Sequence, residues 1–495
     1  MTILANSQAN HQLHNDSGHK TPIFKRVNLK ESPGLVTSSI DLSKLHQLNP
    51  ERYPFLLESV AKGGLGEFDI LFAFPQETIQ LDNLDDAADF TRQVQAQFKS
   101  NIDENISNPA KLPFIGGWFA YFSYDYAQVV EPVLNLPKSK FPLANLTRVP
   151  AAIIVEHATG LVSLLAEPEF AHLLPQVEAD LVQALSLPQS ADTADELACV
   201  KVVATQEEPE EKYLSGVETI KEYILAGDVF QVNLSRQWQV ELAPNTDYLA
   251  VYRALRKSNP APFAALVNFQ DSGVANNHQA WQIVSSSPER LVKYQAPWVE
   301  TRPIAGTRKR GETEAADKAL VTELIEHPKE RAEHIMLIDL ERNDLGRICQ
   351  PGSVEVNELM VVETYEHVHH IVSNVRGKLQ PGLSPLDIVH ALFPGGTITG
   401  CPKIRCMEIV AELEKMPREA YTGSLGYINL DGSLDLNILI RTMIQFEEQG
   451  KPIVQFRAGA GIVTDSQAQN ELTETRHKAK GLIKAFDFAD SGIEC

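Results

Sequence analysis

Carboxylates at helical spacing are the first residues in this sequence with chemistry in them. Glu326, Glu330 and Glu333 fall at i, i+4 and i+7 in and just before KERAEHIMLIDLERND (329–344), one face of a helix. Much further on, NELTETRHKAKGL sets Glu471 and Glu474 three apart. Two such pairs could close round a hard divalent cation such as Mg²⁺, which takes oxygen ligands and keeps some of its waters. The same acids also read as a solvated face ion-paired to Lys329, Arg331, Lys478 and Lys480, and charge at helical spacing is more often that. Spacing by itself leaves both readings open.

Two further stretches raise a question of positive charge. FPGGTITGCPKIRCMEIVAELE (393–414) supplies Gly395, Gly396 and Gly400 for close backbone approach, then Pro402 for the first turn of a helix. Lys403 and Arg405 follow in that turn, where free N–H groups could hold an anion. Lys403 opposes the helix dipole, so something should compensate it, and a bound carboxylate would. A tight turn before an ordinary helix start explains the glycines equally well, and the G-x-x-x-x-G-K-[ST] order of a P-loop is not met. VETRPIAGTRKRG (299–311) reads as a strand that meets Pro303, turns through Ala305-Gly306-Thr307 and delivers Arg308, Lys309 and Arg310.

The elements that must position these residues alternate between strand and helix. FDILFAFP (68–75), GGWFAYFSYDYA (116–127) and AAIIVEH (151–157) are strand-like, and a helix is predicted over 170–187. VFQVNLSRQWQV alternates strictly, with Phe230, Val232 and Leu234 on one face and Gln231, Asn233 and Ser235 on the other. Tyr213, Val217, Ile220 and Ile224 recur as in a helix that Gly227 stops. Further strands are predicted at 281–286, 290–302, 422–430, 434–446 and 452–463, and helices at 313–345, 384–392, 402–414 and 468–486. This pattern predicts an α+β fold. Along the chain it suggests a disordered lead-in over 1–20, an N-terminal region over 21–187, a linker over 188–212 whose VKVVA could add an edge strand, and a second unit over 213–487.

Composition narrows the class. In 495 residues, 43% apolar and 22% charged side chains fit an ordinary globular enzyme. A formal charge of −21 argues against nucleic acid or an anionic membrane as main partner, though a pocket that gathers a few cations or a metal could still take an anionic small substrate. The N-terminus lacks a signal-peptide run and no 18-residue apolar stretch exists. Cys199, Cys349, Cys401, Cys406 and Cys495 show neither zinc spacing nor a disulfide framework, as expected of a reduced, cytoplasmic protein.

Residues of about 210–485 resemble the chorismate-utilising enzymes: anthranilate synthase component I, aminodeoxychorismate synthase component I, and the isochorismate and salicylate synthases. The matching stretches are GDVFQVNLS (227–235), SSSPERL (285–291), RPIAGTRKRG (302–311), ERAEHIMLIDLERNDLGR (330–347), HHIVSNV (369–375), FPGGTITGCPKIRCMEI (393–409), GSLGYINLDGSLDLNILIRT (423–442) and AGAGIVTDS (458–466). The first half resembles that family's N-terminal region more loosely, through LLES (56–59) and GGWFAYFSYD. The resemblance implies two antiparallel β-sheets packed face to face with helices outside, both halves of the chain sharing one core. It implies a Mg²⁺-dependent reaction on chorismate, with Glu330, Glu333, Glu471 and Glu474 round the metal. Substrate carboxylates would be held by Lys403, Tyr427, Arg441 and the backbone of Gly459, Ala460 and Gly461. The catalytic positions implied are Gln231, Ala305, Thr307, His370 and Thr397. LLES would belong to a tryptophan pocket or, equally, to a plain helix end.

Gln231 separates the members. Water-adding relatives carry a lysine base there, and an amide cannot deprotonate water. Gln231 therefore implies ammonia as nucleophile, supplied by a separate glutamine amidotransferase subunit, since no glutaminase motif is present in the chain. Ala305 matches anthranilate synthases, whereas aminodeoxychorismate synthases commonly place a nucleophilic lysine there. HVHHIVS, FPGGTITG and NPAPFAAL (259–266) resemble the aminodeoxychorismate branch. The expectation is amination of chorismate to 4-amino-4-deoxychorismate. The alternatives are anthranilate plus pyruvate, or a chorismate-binding paralogue without turnover.

Overall fold

The computed structural model describes residues 21–27, 40–61, 67–186, 200–270, 280–365 and 368–487. The lead-in over 1–20, part of the linker, Cys199 and Cys495 lie outside these residues. Two large antiparallel sheets carry the fold, with helices outside them. Apolar side chains from both sheets meet in one core, where Phe55 of the first sheet stacks on Phe119 of the second at 4.0 Å between ring centroids. Tyr121 likewise packs on Phe269 and Trp281 across the interface. Rings this large dominate the burial that stabilises a core of this kind.

Each sheet is built from both halves of the chain. In the first, Phe55–Glu58 pairs with Phe263–Phe269. In the second, Gly117–Phe122 pairs with Ser424–Asn429. The VKVVA stretch forms strand Val200–Glu207, which pairs with Gln231–Leu242. On the other edge of Gln231–Leu242 lies Lys451–Ile462. Val232, Leu234, Ala460 and Ile462 turn outward from that pair into a cluster with Tyr213, Val217, Ile220, Cys406, Ile409 and Leu472. Helices Glu210–Ala226, Lys403–Glu414 and Ala468–Ile483 therefore cover the outer face, and the odd-numbered residues of the strand face the other way.

Several predicted elements are broken where a single one was expected. The helix over 313–345 divides into Glu314–Glu326 and Pro328–Gly346. Pro328 lacks an N–H and opens a new helix at its first position, capped by the His327 side chain, which accepts from Glu330 N–H. Glu326 is thus not on one helix face with Glu330 and Glu333. The strand over 290–302 is a hairpin, Arg290–Gln295 and Trp298–Thr301, turned at Ala296-Pro297. The strand over 434–446 stops at Asn437 and resumes at Thr442, with Arg441 between them in the left-handed region (φ 51°). The helix over 170–187 is Leu174–Ser186, preceded by a 3₁₀ turn. Ala305-Gly306-Thr307, read as a turn, lies within strand Ile304–Lys309 as a bulge, with Gly306 at φ 72°.

Candidate functional site

The floor of the site is the pairing of Gln231–Leu242 with Lys451–Ile462, which sets Asn233 opposite Gly461, Leu234 opposite Ala460 and Ser235 opposite Gly459. Gln231 and Asn233 face these glycines, and there is no room for side chains there. A β-carbon on Gly461 would stand 2.6 Å from Gln231 Nε2, and one on Gly459 would stand 2.9 Å from the Tyr421 hydroxyl and 3.0 Å from Asn233 Oδ1. Ala460 turns its methyl into the outer cluster, so only its backbone is available to this face. Lys478, from helix Ala468–Ile483, donates to the Gly459 carbonyl at 3.0 Å and pairs with Glu474 at 2.8 Å.

Above this floor, the loop around Gly396–Ile398 presents Thr397, whose hydroxyl donates to Glu289 Oε1 at 2.7 Å. Glu289 follows strand Trp281–Ser287 and is only 6% exposed. Burial pushes its carboxyl up to about 7, although Thr397, Lys478 and Arg441 all favour the ionised form. Near neutral pH it therefore still carries a proton much of the time. Burial also lowers the Arg441 guanidinium, and Glu289 is the anion that opposes that effect. His370 pairs with Thr307 at 2.9 Å through Nδ1. Burial and the nearby Arg441 push His370 down to about 4, so the ring is neutral at pH 7.

The acids stand on two helices. Glu330 accepts from Arg308 Nη1 at 3.2 Å, and a β-carbon on Gly306 would lie 2.9 Å from its Oε2. His334, one turn along, shares a 2.6 Å hydrogen bond with Ser373 and fixes helix Pro328–Gly346 to strand Val368–Lys378. Glu333 lies on the same helix, and Glu471 is nearly buried on helix Ala468–Ile483. An all-carboxylate donor set suits a hard cation. Yet among the described residues no group of three or more His, Cys, Asp or Glu side chains is gathered to hold a metal. Ala305 is 8% exposed in the bulge beside these groups.

Two expected substrate contacts are otherwise engaged. Lys403 ion-pairs with Asp344 at 2.5 Å, with both side chains nearly buried. Asp344 thus supplies the carboxylate that a lysine at a helix N-terminus requires. Arg405 is likewise engaged, by Asp228 and Glu408. Tyr427 packs on Phe72 and Phe114 and lines a separate cavity of about 420 Å³. The alternation of strand Ser424–Asn429 turns it there, beside Arg290 and Asp435. Leu57, Glu58 and Ser59 line the same cavity, so LLES is strand and cavity wall, not a helix end.

Three residues at the site escaped sequence reasoning: Glu289, Tyr421 and Lys478. Glu289 lay within a quoted stretch, directly after Pro288. The sequence offers Lys478 only as a surface partner for acids. Tyr421 sits in a turn between Glu419 and Thr422, both at positive φ, where no periodicity points a side chain. Beside the site lies a closed ionic knot. Glu414 accepts from Ser235, Arg418 and Arg457 at 2.7–3.0 Å, and Arg418 Nη2 donates to the Asn233 carbonyl at 2.6 Å.

Comparison with known proteins gives a consistent answer. Residues 52–484 match the family model described as chorismate binding enzyme. An anthranilate synthase component I-like protein of Synechocystis sp. is 43% identical over 394 residues, 78% of this chain and 76% of the relative. Aminodeoxychorismate synthase component 1 of Bacillus subtilis is 40% identical over 399 residues, 78% of this chain and 80% of the relative. The crystal structure of anthranilate synthase component I from Streptococcus pneumoniae superposes with a TM-score of 0.71 at 30% identity, over 84% of this chain and 92% of that one. Among the described residues no helix is long and apolar enough to cross a membrane.

Proposed function

Because this chain belongs to the chorismate binding enzymes, we propose that it aminates chorismate to 4-amino-4-deoxychorismate, as component I of an aminodeoxychorismate synthase. The observation that carries amination is Gln231, an amide facing Gly461 at the floor of the site, where it cannot act as a base on water. Ammonia needs no such base. Its lone pair forms the new C–N bond as the ring C–O bond breaks. Glu289, held near pH 7, gives the departing hydroxyl the proton that makes it water, and the protonated amine returns a proton to Glu289. Arg441 and Lys478 stand where substrate carboxylates would be held, with Tyr421 and the glycine backbones beside them. Ala305 offers no amine for covalent attack, so ammonia adds directly.

Mg²⁺ is the cation proposed for Glu330, Glu333, Glu471 and Glu474, and when bound it would offset substrate negative charge. A separate glutamine amidotransferase subunit would deliver ammonia. In the same reading the cavity at Leu57, Glu58 and Ser59 is the place for a bound tryptophan.

Anthranilate is the second reading, favoured by Ala305. It requires a base to take a ring proton before pyruvate leaves. The His370 imidazole, pushed down to about 4, is a poor base, which supports the amine as end product. The deciding experiment incubates the protein with chorismate, Mg²⁺ and an ammonium salt and identifies products by mass and fluorescence. Aminated chorismate is expected. Fluorescent anthranilate with pyruvate would replace this assignment by the second reading, and unconsumed chorismate that still raises the melting temperature would indicate a binding protein without turnover.

A further inference from the structure

Two side-chain oxygens at the floor of the site accept no hydrogen bond from the chain: Gln231 Oε1 and Asn233 Oδ1. Both are shielded from solvent, and both lie on the face of strand Gln231–Leu242 that looks at Gly459 and Gly461. A buried acceptor left without a donor is costly, and two on the same face of one strand, at the floor of a site, are the acceptors a bound donor would complete. Asn233 is also unusually well fixed. Its backbone N–H donates to the Thr399 carbonyl at 3.0 Å, its carbonyl accepts from Arg418 at 2.6 Å, and its Nδ2 points at the Thr397 carbonyl at 3.5 Å. With Nδ2 turned to that loop, Oδ1 is left towards Gly459, 3.0 Å from where a β-carbon would stand. Nothing in the steps assigned to Glu289, Thr397, Arg441 or His370 employs it.

We propose that Asn233 Oδ1, together with Gln231 Oε1, forms a two-acceptor cradle that binds the incoming ammonia and aims its lone pair at the ring. Ammonia has three N–H donors and one lone pair. Two N–H groups on two amide oxygens leave the lone pair free and restrict where it points, which is the positional gain a small nucleophile otherwise lacks. The acceptors are uncharged amides, so they do not favour ammonium over reactive ammonia as a carboxylate would. Water has only two O–H donors, and if both were held its oxygen would still need a base. The cradle therefore adds a selection for nitrogen that Gln231 alone does not give. The inference rests on the amination reading and deepens it.

The test is the kinetics of the full-length protein with an ammonium salt as sole nitrogen source. Wild type that forms no aminated product overturns the amination reading and this inference together, before any variant is made. With wild type active, Asn233→Ala should lower kcat/KM for ammonia about tenfold, the effect of losing one well-placed hydrogen bond. Chorismate affinity, read from thermal shift or titration, should change less than about twofold. Asn233→Thr separates an acceptor from a structural role, because it keeps an uncharged oxygen but has no amide nitrogen to donate to the Thr397 carbonyl. It should retain ammonia efficiency within about threefold, and it decides the matter alone if the alanine variant folds poorly. Alanine that leaves ammonia efficiency unchanged, alanine that weakens chorismate by the same factor, or threonine that loses efficiency as badly as alanine would each overturn the cradle while leaving the amination reading standing.

Discussion

Glu289 and Glu414 are both almost fully buried, at 6% and 2% exposure, and they behave in opposite ways. Burial alone would raise both carboxyls. Around Glu414, Arg418 and Arg457 with the Ser235 hydroxyl overcome it and hold the group at about 2. Around Glu289 there is one hydroxyl, while Lys478 and Arg441 act from further off, and the group rises to about 7. Ser235 feeds the knot, and Gln231 and Asn233, on the same strand, feed the site. One strand thus serves a region whose buried carboxylate is held by two guanidiniums and another whose buried carboxylate is held by a single hydroxyl. A buried charge marks a site only when its partners are incomplete.

The largest test of this contrast is Glu414→Ala, which leaves two buried guanidiniums without their anion. Unfolding by urea should show a loss of about 3–5 kcal/mol, and a loss below 1 kcal/mol would break the comparison. Next, Glu289→Gln should lower kcat by about a hundredfold or more while the protein stays folded, since a positioned acid contributes that much.

The pH dependence of stability should mirror the pair. Glu414, depressed from 4.5 to about 2, stabilises the fold above pH 4.5, and that contribution drains as pH falls towards 2. Glu289, raised from 4.5 to about 7, favours the fold below pH 4.5, and that contribution drains as pH climbs through 7. Each window holds on the order of 3 kcal/mol. Glu289→Gln should therefore be more stable than wild type at pH 8 and no more stable at pH 4, as denaturant titrations at the two values would reveal. The wild-type rate should also decline above pH 7 as Glu289 ionises.

Smaller effects sharpen the boundary of the site. Tyr421→Phe, which removes the hydroxyl at Gly459, should cost about three- to tenfold in kcat/KM for chorismate. Tyr427→Phe, in the other cavity, should leave that ratio within about twofold.

Alternation and helical spacing, strong in strands such as Gln231–Leu242 and helices such as Ala468–Ile483, reached the α+β class, whereas the two packed sheets were implied only by the family resemblance. Sequence reading lost ground where one residue overrides a pattern, as Pro328 divides a continuous helical run. Tyr421 and Tyr427 are six residues apart in similar surroundings, and only the left-handed turn before the strand decides which one reaches the glycines. The Lys403–Asp344 pair joins residues far apart in the chain, so the lysine's missing partner could be anticipated but not identified. Glu289 gave no spacing signal, since its raised pKa arises from burial that only the packed sheets create.

The sharing of both sheets by both halves also bears on how the chain is made. Strand Gly117–Phe122 is complete early, but its neighbour Ser424–Asn429 is synthesised roughly three hundred residues later. At about 5–20 residues per second, a ribosome needs tens of seconds to supply it. The nascent N-terminal half carries a bare strand edge at Phe55–Glu58 until Phe263–Phe269 is made, and one at Gly117–Phe122 through the whole interval. Such edges invite pairing with the wrong chain. A protein laid out this way gains a single joined core at the end of synthesis and depends on protection of the Gly117–Phe122 edge until Ser424–Asn429 emerges.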